Sequence, residues 1–391
     1  MTRPARAAGV AGVALGALAF WLALPPVAVR SAVVPIAVGA LAALAGAWTI
    51  SQRELRLGRG AVAAGICGAL LGVLATRAGV GNLEGVVVWS ALVAAMLRFA
   101  TPLTFAAIGG MFSERSGVVN IALEGMMLAG AFFGIWGADW GGSWVVGLLV
   151  AMAAGAVFGL VHAVFAIHLR ADQIVGGTAI NFLALGLTGF LFIDIYGSNG
   201  TPDLSSSQQI PDVTISTGND FFSNAFGQLN LMIWLSLALL VVSYVVMFRT
   251  PIGLRIRAVG EHPLAADTVG ISIYATRYAA VVLSGVLAAM GGAYLSIGFV
   301  HSFNENMTAG RGFIALAALI FGKWRPFGAF GAALLFGFSS ALAPRLGGVS
   351  DWSSYAVLFQ ALPYVLTLIA VAGVIGRSIP PAAVGRPYEK Q

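Results

Sequence analysis

The chain has 391 residues, of which 59% are hydrophobic and only 9% are charged, with a formal net charge of +6. Soluble domains carry about 25% charged residues, so this composition excludes a soluble globular protein. The basic residues lie in short gaps between apolar runs, which excludes nucleic acid as a partner. We therefore expect an all-α, polytopic protein that lies in the lipid bilayer.

Apolar runs recur along the whole chain. A helix needs about 20 apolar residues to cross roughly 30 Å of hydrocarbon. In chain order, the runs lie at 8–24, 32–50, 61–78, 86–112, 118–136, 144–168, 174–193, 229–248, 274–298, 312–322, 326–343 and 354–376. The runs 118–136 and 312–322 are short or interrupted by polar residues, so these two need not cross completely. The pattern predicts about ten to twelve crossings.

The distribution of Arg and Lys predicts the orientation of these spans. Basic residues collect in short loops on the cytoplasmic side of membrane proteins. On this rule both termini are cytoplasmic, as are the segment 249–273 and the tail 377–391, whereas the Ser/Asn/Gln-rich loop 194–228 is external.

Two groups of spans are predicted to be inverted repeats. The group 86–193 enters from outside and the group 274–376 enters from inside, and in each group the second member is shorter and more interrupted than the first. Broken helices of inverted repeats meet near the bilayer midplane at a solute site. Chance similarity among segments rich in Gly and Ala is the alternative explanation.

Polar residues within the apolar runs are candidates for a solute pathway. Asn120 and Glu124 are four residues apart, so on a helix they share one face. Gln173, Thr178 and Asn181 could hydrogen-bond a polar solute in the same pathway. Hydrogen bonding between helices, capping or packing without a ligand is the alternative for all five.

The segment 251–271 is long for a turn between two spans. It reads as two short helices broken by Gly260 and Pro263. Such a helix could dock into a groove of a partner protein, or it could be a plain amphipathic helix at the membrane surface.

Several motifs together resemble a known family. They are TPLT at 101–104, SERSGVVNIALEG at 113–125, RAVGE at 257–261, AA at 265–266 and GFIALA at 312–317. Over residues 61–376 the chain resembles the permease subunits of bacterial ABC importers of the branched-chain amino acid and simple-sugar class. Within that class it looks most like the nucleoside (guanosine or purine nucleoside) permeases.

The resemblance implies that this chain is one subunit of a transporter with several partner proteins. It implies a permease core of about ten helices over residues 61–376, to which residues 1–60, a transmembrane hairpin with a cytoplasmic link, are an addition. The partners would be a cytoplasmic ABC ATPase, a second homologous permease subunit and an extracytoplasmic solute-binding lipoprotein, all at a bacterial cell (inner) membrane. The solute would be small and polar, a nucleoside or simple sugar.

The residues expected to couple to the ATPase are Arg255, Arg257, Gly260, Glu261, His262, Ala265 and Ala266. His262 departs from the family, in which Asn is common after Gly-Glu.

The chain carries no ATP-binding motif of its own. Its two lysines, Lys323 and Lys390, are not followed by Ser or Thr, as a Walker A loop requires, so we expect a pathway subunit and not an enzyme. We expect no cofactor and no metal site. The alternatives are an ion-coupled secondary transporter, for which Glu124 is the candidate carboxylate, and a membrane enzyme, for which clustered catalytic acids or histidines are missing.

Overall fold

A computed structural model describes residues 3–22, 29, 31–77, 88–197, 200–216, 218, 220–347 and 378–389. The predicted span 354–376 lies outside the described residues. The chain divides into two compact units, one of residues 1–92 with 345–356 and one of residues 93–344 with 357–391.

In the first unit, three helices pack against one another: α1 (Arg3–Trp21), α2 (Val33–Ser51) and α3 (Leu55–Arg77). Small residues bring their backbones together, as membrane helices require. A Cβ at Gly39 would lie 2.6 Å from the carbonyl oxygen of Gly65. We predict α1 and α2 to be the hairpin, and α3, predicted to begin the core, packs on both of them. The boundary at residue 60 stays a prediction.

The remaining described helices include two that continue as π-helical segments. In chain order, the helices are α4 (Trp89–Arg115), α5 (Leu123–Gly141), α6 (Trp144–Ala163, continuing over Val164–His168), α7 (Gln173–Tyr196), α8 (Asp220–Phe226), α9 (Leu231–Arg249), α10 (Pro251–Glu261), α11 (Pro263–Thr268), α12 (Ile273–Ala293, continuing over Tyr294–Val300), α13 (Arg311–Phe321) and α14 (Pro326–Gly347).

The helices confirm the all-α, polytopic fold class. Within the described part of the chain, 7 helices are long and apolar enough to cross a membrane, and α13, with 11 residues, is shorter. The predicted run 118–136 differs most from the structure, because α5 begins only at Leu123. The number of crossings and the inverted repeats stay predictions.

The predicted external loop carries structure of its own. Strand β1 (Asp212–Thr214) pairs antiparallel with β2 (Gln228–Asn230), and α8 lies between them in the chain. Asn230 then caps α9, because its side chain accepts a hydrogen bond from the N–H of Met232. The small sheet therefore leads directly into a membrane-spanning helix.

The segment 251–271 forms two short helices, as predicted, and of the two residues predicted to break them, Pro263 does so and Gly260 does not. Gly260 lies inside α10, and the chain leaves the helical conformation at His262, whose φ is −147° and ψ is 79°. Pro263 disfavours the helical region for the residue before it, so the proline sets the break and the glycine does not. Gly260 instead lets α10 pack closely against the end of α4.

Helix α12 packs closely between α5 and α6. A Cβ at Gly292 of α12 would overlap the carbonyl oxygen of Met127 in α5, and one at Gly285 would overlap that of Gly155 in α6. Such contacts let backbones approach where lipid provides no hydrophobic drive for association. The contact at Met127 holds the start of α5 against α12.

Candidate functional site

A non-helical stretch separates α4 from α5 inside the second unit. It consists of residues 116–122, which are mostly buried, and we call it the α4–α5 break. Gly117 has a φ of +96°, a conformation that residues with a side chain rarely adopt. Non-helical backbone at membrane depth is tolerated only where protein or water satisfies its N–H and C=O groups. The α4–α5 break therefore needs hydrogen-bond partners from neighbouring helices.

Buried side chains of α6 and α7 bind the backbone at Val119. The Oε1 atom of Gln173 accepts a hydrogen bond from the N–H of Val119 at 2.7 Å. The Nε2 atom of His162 donates to the carbonyl oxygen of the same residue at 2.9 Å. The sequence analysis placed Gln173 in the solute pathway and did not select His162. Both side chains fix the break in place.

Asn181 binds the backbone on both sides of the start of α5. Its Nδ2 atom donates to the carbonyl oxygen of Ile121 at 3.0 Å, and its Oδ1 atom accepts from the N–H of Gly125 at 2.7 Å. Both polar atoms of the amide are thus used within the protein.

Glu124 joins α5 to α13. Its two carboxylate oxygens accept hydrogen bonds from the N–H groups of Gly310, at 2.7 Å, and Gly312, at 2.5 Å. These groups are at the start of α13, and Glu124 itself is in the first turn of α5. Negative charge is favourable at helix N-termini because the backbone dipoles leave partial positive charge there. The carboxylate therefore stabilises two helix starts at once.

Asn120 is fully buried but does not share a helical face with Glu124. It precedes α5, so the face inferred from the four-residue spacing does not form. Its Nδ2 atom donates to the hydroxyl of Ser284 in α12 at 2.8 Å. Its Oδ1 atom has no hydrogen-bond partner among the described residues. Asn120 thus connects the α4–α5 break to α12.

Thr178 is on a different part of α7. Its hydroxyl donates to the carbonyl oxygen of Ile174 one turn earlier, at 2.8 Å. The structure brings the other four predicted pathway residues together around the α4–α5 break. Whether any of the five contacts solute stays a prediction.

Gly260 and Arg115 join α10 to the end of α4. A Cβ at Gly260 would overlap the carbonyl oxygen of Arg115, so only glycine permits this approach. The Arg115 guanidinium donates to the carbonyl oxygen of Trp324 through Nε and one terminal nitrogen, at 3.1 and 3.0 Å. Its other terminal nitrogen is 3.9 Å from a carboxylate oxygen of Glu261. Helix α10 therefore touches the residue that directly precedes the α4–α5 break.

The predicted coupling residues divide by exposure. Arg257 is half-buried and its guanidinium lies 5.3 Å from the centre of the Phe248 ring. Gly260 and Ala266 are buried. The residues that are exposed, and so accessible to a partner, are Arg255, Glu261, His262 and Ala265.

The carboxyl-terminal segment 378–389 lies against α10 and the α4–α5 break, which the sequence analysis did not foresee. The N–H of Ala383 donates to the carbonyl oxygen of Gly260 at 2.9 Å. The N–H of Ala382 donates to the Glu261 carboxylate at 3.2 Å, and that of Gly385 donates to the Gly117 carbonyl oxygen at 3.1 Å. The tail therefore contacts both elements at once.

Side chains strengthen this contact. Arg277 is 1% exposed, and its guanidinium donates to the carbonyl oxygens of Ser116, at 3.2 Å, and Arg386, at 3.1 Å. The hydroxyl of Tyr388 donates to Asp267 at 2.8 Å. Burial and this hydrogen bond raise the pKa of Tyr388, so the hydroxyl remains the donor at neutral pH. A charge inside an apolar run, as at Arg277, was the one sequence signal that such a partner exists.

The arrangement offers hydrogen bonds and close packing. Within the described ranges, no group of three or more His, Cys, Asp or Glu side chains could hold a metal ion. The polar groups around the α4–α5 break instead maintain a broken helix in the interior.

The sequence of the chain matches one family model and several known proteins. The profile of the family described as "Branched-chain amino acid transport system / permease component" matches residues 92–371. The chain is 45% identical over 324 residues to the guanosine ABC transporter permease protein NupQ of Bacillus subtilis (strain 168), covering 79% of this chain and 99% of the relative.

Two proteins of Lactococcus lactis subsp. cremoris (strain MG1363) also match. The nucleoside ABC transporter permease protein NupC is 41% identical over 307 residues, covering 76% of this chain and 96% of the relative. The nucleoside ABC transporter permease protein NupB is 26% identical over 296 residues, covering 73% and 81%. No solved structure matches the chain.

Proposed function

Because this chain belongs to the family of branched-chain amino acid transport system permease components, we propose that it is the membrane-spanning subunit of an ATP-driven importer for nucleosides. The observation that carries the proposal is the 45% identity to a guanosine permease along 99% of that relative. The chain provides the pathway and is not itself an enzyme. A simple sugar, the other solute class expected from the motifs, is the competing outcome of the test below.

The partners are a cytoplasmic ATPase, a second homologous permease and an extracytoplasmic solute-binding lipoprotein. The ATPase must be a separate chain, since neither Lys323 nor Lys390 is in a Walker A motif. A second permease is supported by Lactococcus lactis, in which two different nucleoside permeases match this chain at 41% and 26% identity.

The segment 249–273 is proposed to receive the motion of the ATPase. The ATPase would contact the exposed Arg255, Glu261, His262 and Ala265, on the cytoplasmic side of a bacterial cell membrane. Movement of α10 would pass through Gly260 to the Arg115 carbonyl and so to the α4–α5 break. Close-packed backbone transmits such a displacement because packed interiors have low compressibility.

The far end of the α4–α5 break would carry the motion to the pathway. Glu124 follows the break and holds the start of α13 by two hydrogen bonds. A shift of the break therefore moves the starts of α5 and α13 together. Asn120, Gln173, Thr178 and Asn181 are proposed, with Glu124, to lie along the route of the solute.

Ion-coupled transport is the less favoured alternative. It would use Glu124 as the carboxylate that binds a proton or Na⁺. Both oxygens of this carboxylate already accept backbone hydrogen bonds from Gly310 and Gly312, which an ion would have to replace. A charge-assisted bond of this kind contributes roughly 1.5–3 kcal/mol, so the replacement is costly.

Uptake of guanosine tests the proposal. We expect cells that lack their own nucleoside uptake to accumulate radiolabelled guanosine when they express this chain together with its ATPase, second permease and lipoprotein partners. The control omits this chain only. No accumulation of guanosine, together with accumulation of radiolabelled glucose or ribose that depends on this chain, would instead identify a sugar importer.

A further inference from the structure

The carboxyl-terminal segment 378–389 contacts more of the second unit than α10 and the α4–α5 break. At one end, the hydroxyl of Ser378 donates to the carbonyl oxygen of Ile320, near the end of α13, at 2.9 Å. At the other end, the Glu389 carboxylate is 2.6 Å from the guanidinium of Arg170, which follows α6. The segment therefore joins the carboxyl-terminal ends of four helices, α4, α6, α10 and α13.

Within this segment, Tyr388 packs between α12 and the two helices of the predicted coupling segment, α10 and α11. Tyr388 is 5% exposed and lies in a small apolar cluster. The cluster also contains Val259 of α10, Ala266 of α11 and Ile273 of α12. The ring of Tyr388 meets that of Tyr274 edge to face, with the centroids 5.8 Å apart, a geometry that aromatic pairs prefer. Tyr388 therefore joins three helices at one point.

Helix α11 depends on such contacts for its position. It has 6 residues, Pro263–Thr268, and isolated helices shorter than about 12–15 residues are marginal in water. The Tyr388 hydroxyl donates to Asp267 of this helix, and the cluster around Tyr388 buries Ala266. The adjacent Ala265 is exposed and is a predicted ATPase contact. Tyr388 thus fixes the helix that presents Ala265 to a partner.

The backbone of the segment fixes the end of α10 in a similar way. The last four carbonyl groups of a helix have no partner within that helix. The N–H of Ala383 binds the carbonyl oxygen of Gly260, and the N–H of Ala382 binds the carboxylate of Glu261. Ala382 and Glu261 are both exposed, so a partner that reaches this carboxylate also lies beside the segment.

We propose that the segment 378–389 positions α10 and α11 for the ATPase, and that Tyr388 is its main positioning residue. The inference rests on the proposed function. A partner that binds only the correctly positioned helices has an apparent Kd equal to its intrinsic Kd divided by the populated fraction of that arrangement. Without the Tyr388 side chain this fraction falls, so the ATPase binds more weakly.

Binding of the purified ATPase to nanodiscs that hold this chain and its second permease tests the role of Tyr388. We expect Tyr388→Ala to weaken the ATPase affinity per assembled permease pair by roughly tenfold or more, because both the buried ring and the hydroxyl bond are lost. Tyr388→Phe keeps the ring and loses one hydrogen bond, so it should recover the affinity to within about threefold of the wild type.

Tyr278→Ala is the matched control for Tyr388→Ala. The Tyr278 hydroxyl bonds His168 at the end of α6 instead of a helix of the coupling segment, so this variant should keep wild-type ATPase affinity.

ATP hydrolysis in the same nanodiscs separates positioning from stability. Hydrolysis stimulated by the guanosine-loaded lipoprotein should be low in Tyr388→Ala when the ATPase is limiting. It should approach the wild-type rate when the ATPase is in excess, because a ligand in excess shifts the population to the arrangement that it binds. A merely structural defect would reduce the number of assembled permease pairs, and excess ATPase would not restore hydrolysis.

A double-mutant cycle tests the contact with α11. Asp267→Ala and Tyr388→Phe each remove the same hydrogen bond, so their effects on ATPase affinity should be less than additive. The control is Glu389→Gln in the same segment. It weakens only an exposed ion pair with Arg170, and such pairs contribute little, so the ATPase affinity should not change.

Two results would overturn the inference while leaving the proposed function intact. The first is wild-type ATPase affinity per assembled pair in Tyr388→Ala, which would make the residue purely structural. The second is additive effects of Asp267→Ala and Tyr388→Phe on this affinity. If the wild type binds the ATPase but takes up no guanosine, the proposed solute fails and the positioning role stands. A wild type that binds no ATPase would overturn the proposed function and this inference with it.

Discussion

The polar residues in the apolar runs act mainly on backbone groups. Gln173, His162 and Asn181 each bind N–H or C=O groups of the α4–α5 break or the start of α5. The bilayer explains this use of side chains, because it supplies no water to satisfy a broken helix. A polar residue in a span is therefore first a candidate partner for irregular backbone, and only then a candidate ligand.

Glu124 is the residue whose charge matters most. In Glu124→Gln the amide can accept only one of the two backbone hydrogen bonds and turns a donor towards the other N–H. Charge at each helix start is worth about 0.3–1 kcal/mol at exposed sites and up to ~2 kcal/mol when partly buried. We expect guanosine uptake to fall about tenfold at equal expression, a change that corresponds to roughly 1.4 kcal/mol.

The control for this substitution is Glu305→Gln. Glu305 is exposed in the loop before α13, so the same loss of charge there should leave uptake unchanged. Full uptake in Glu124→Gln would show that the carboxylate is needed neither for the helix starts nor for the pathway.

At the scale of elements, α10 and the carboxyl-terminal segment hold the α4–α5 break from one side. Gly260 packs on the Arg115 carbonyl, and the tail binds Gly260 and Gly117 through backbone hydrogen bonds. Two backbone hydrogen bonds and the close packing at Gly260 connect the three elements, and side-chain hydrogen bonds add to them, so their relative positions leave little freedom. A displacement of α10 must therefore move the break or disrupt these bonds.

Gly260→Ala tests this transmission. The new methyl group would overlap the Arg115 carbonyl oxygen, and overpacking of this kind costs about 1–3 kcal/mol. We expect guanosine uptake to fall about tenfold while the purified complex still hydrolyses ATP, because the defect lies between the ATPase and the pathway. Uptake and hydrolysis are measured on the same reconstituted sample.

A matched helical glycine provides the control for Gly260→Ala. A Cβ at Gly331 in α14 meets nothing within 4 Å, so Gly331→Ala should retain both uptake and hydrolysis. Normal coupling in Gly260→Ala would argue against α10 as the transmitting element.

For the whole molecule, the sequence makes a prediction about orientation. Between Arg170 and Arg249 the chain has no Arg or Lys, which on the positive-inside rule places the intervening loop outside and α10 and α11 inside. Everything proposed about the ATPase depends on this assignment.

Cysteine labelling tests the orientation. In a Cys67→Ala background, which removes the single cysteine, Ala265→Cys should react with a membrane-impermeant maleimide only in inside-out vesicles. Ser216→Cys, in the predicted external loop, should react only in right-side-out vesicles, and both positions are exposed. Reaction of Ala265→Cys from the exterior would contradict the proposed site of the ATPase.

The sequence by itself determined the fold class, the places of most helices and the family, because apolar runs and motifs are local properties of the chain. It also predicted two short helices over 251–271. Of the two residues predicted to break them, Pro263 does so and Gly260 does not, since Gly260 packs on Arg115, which is distant in the sequence.

Only the tertiary structure decided what the polar residues bind. Gln173 and Val119 are 54 residues apart, and Glu124 and Gly310 are 186 apart, so no local pattern contains these pairs. The contacts of the tail with Gly117 and Gly260 likewise join distant segments. Helix formation depends on neighbours within a few residues, whereas satisfying a broken helix depends on whichever side chains the packing brings to it.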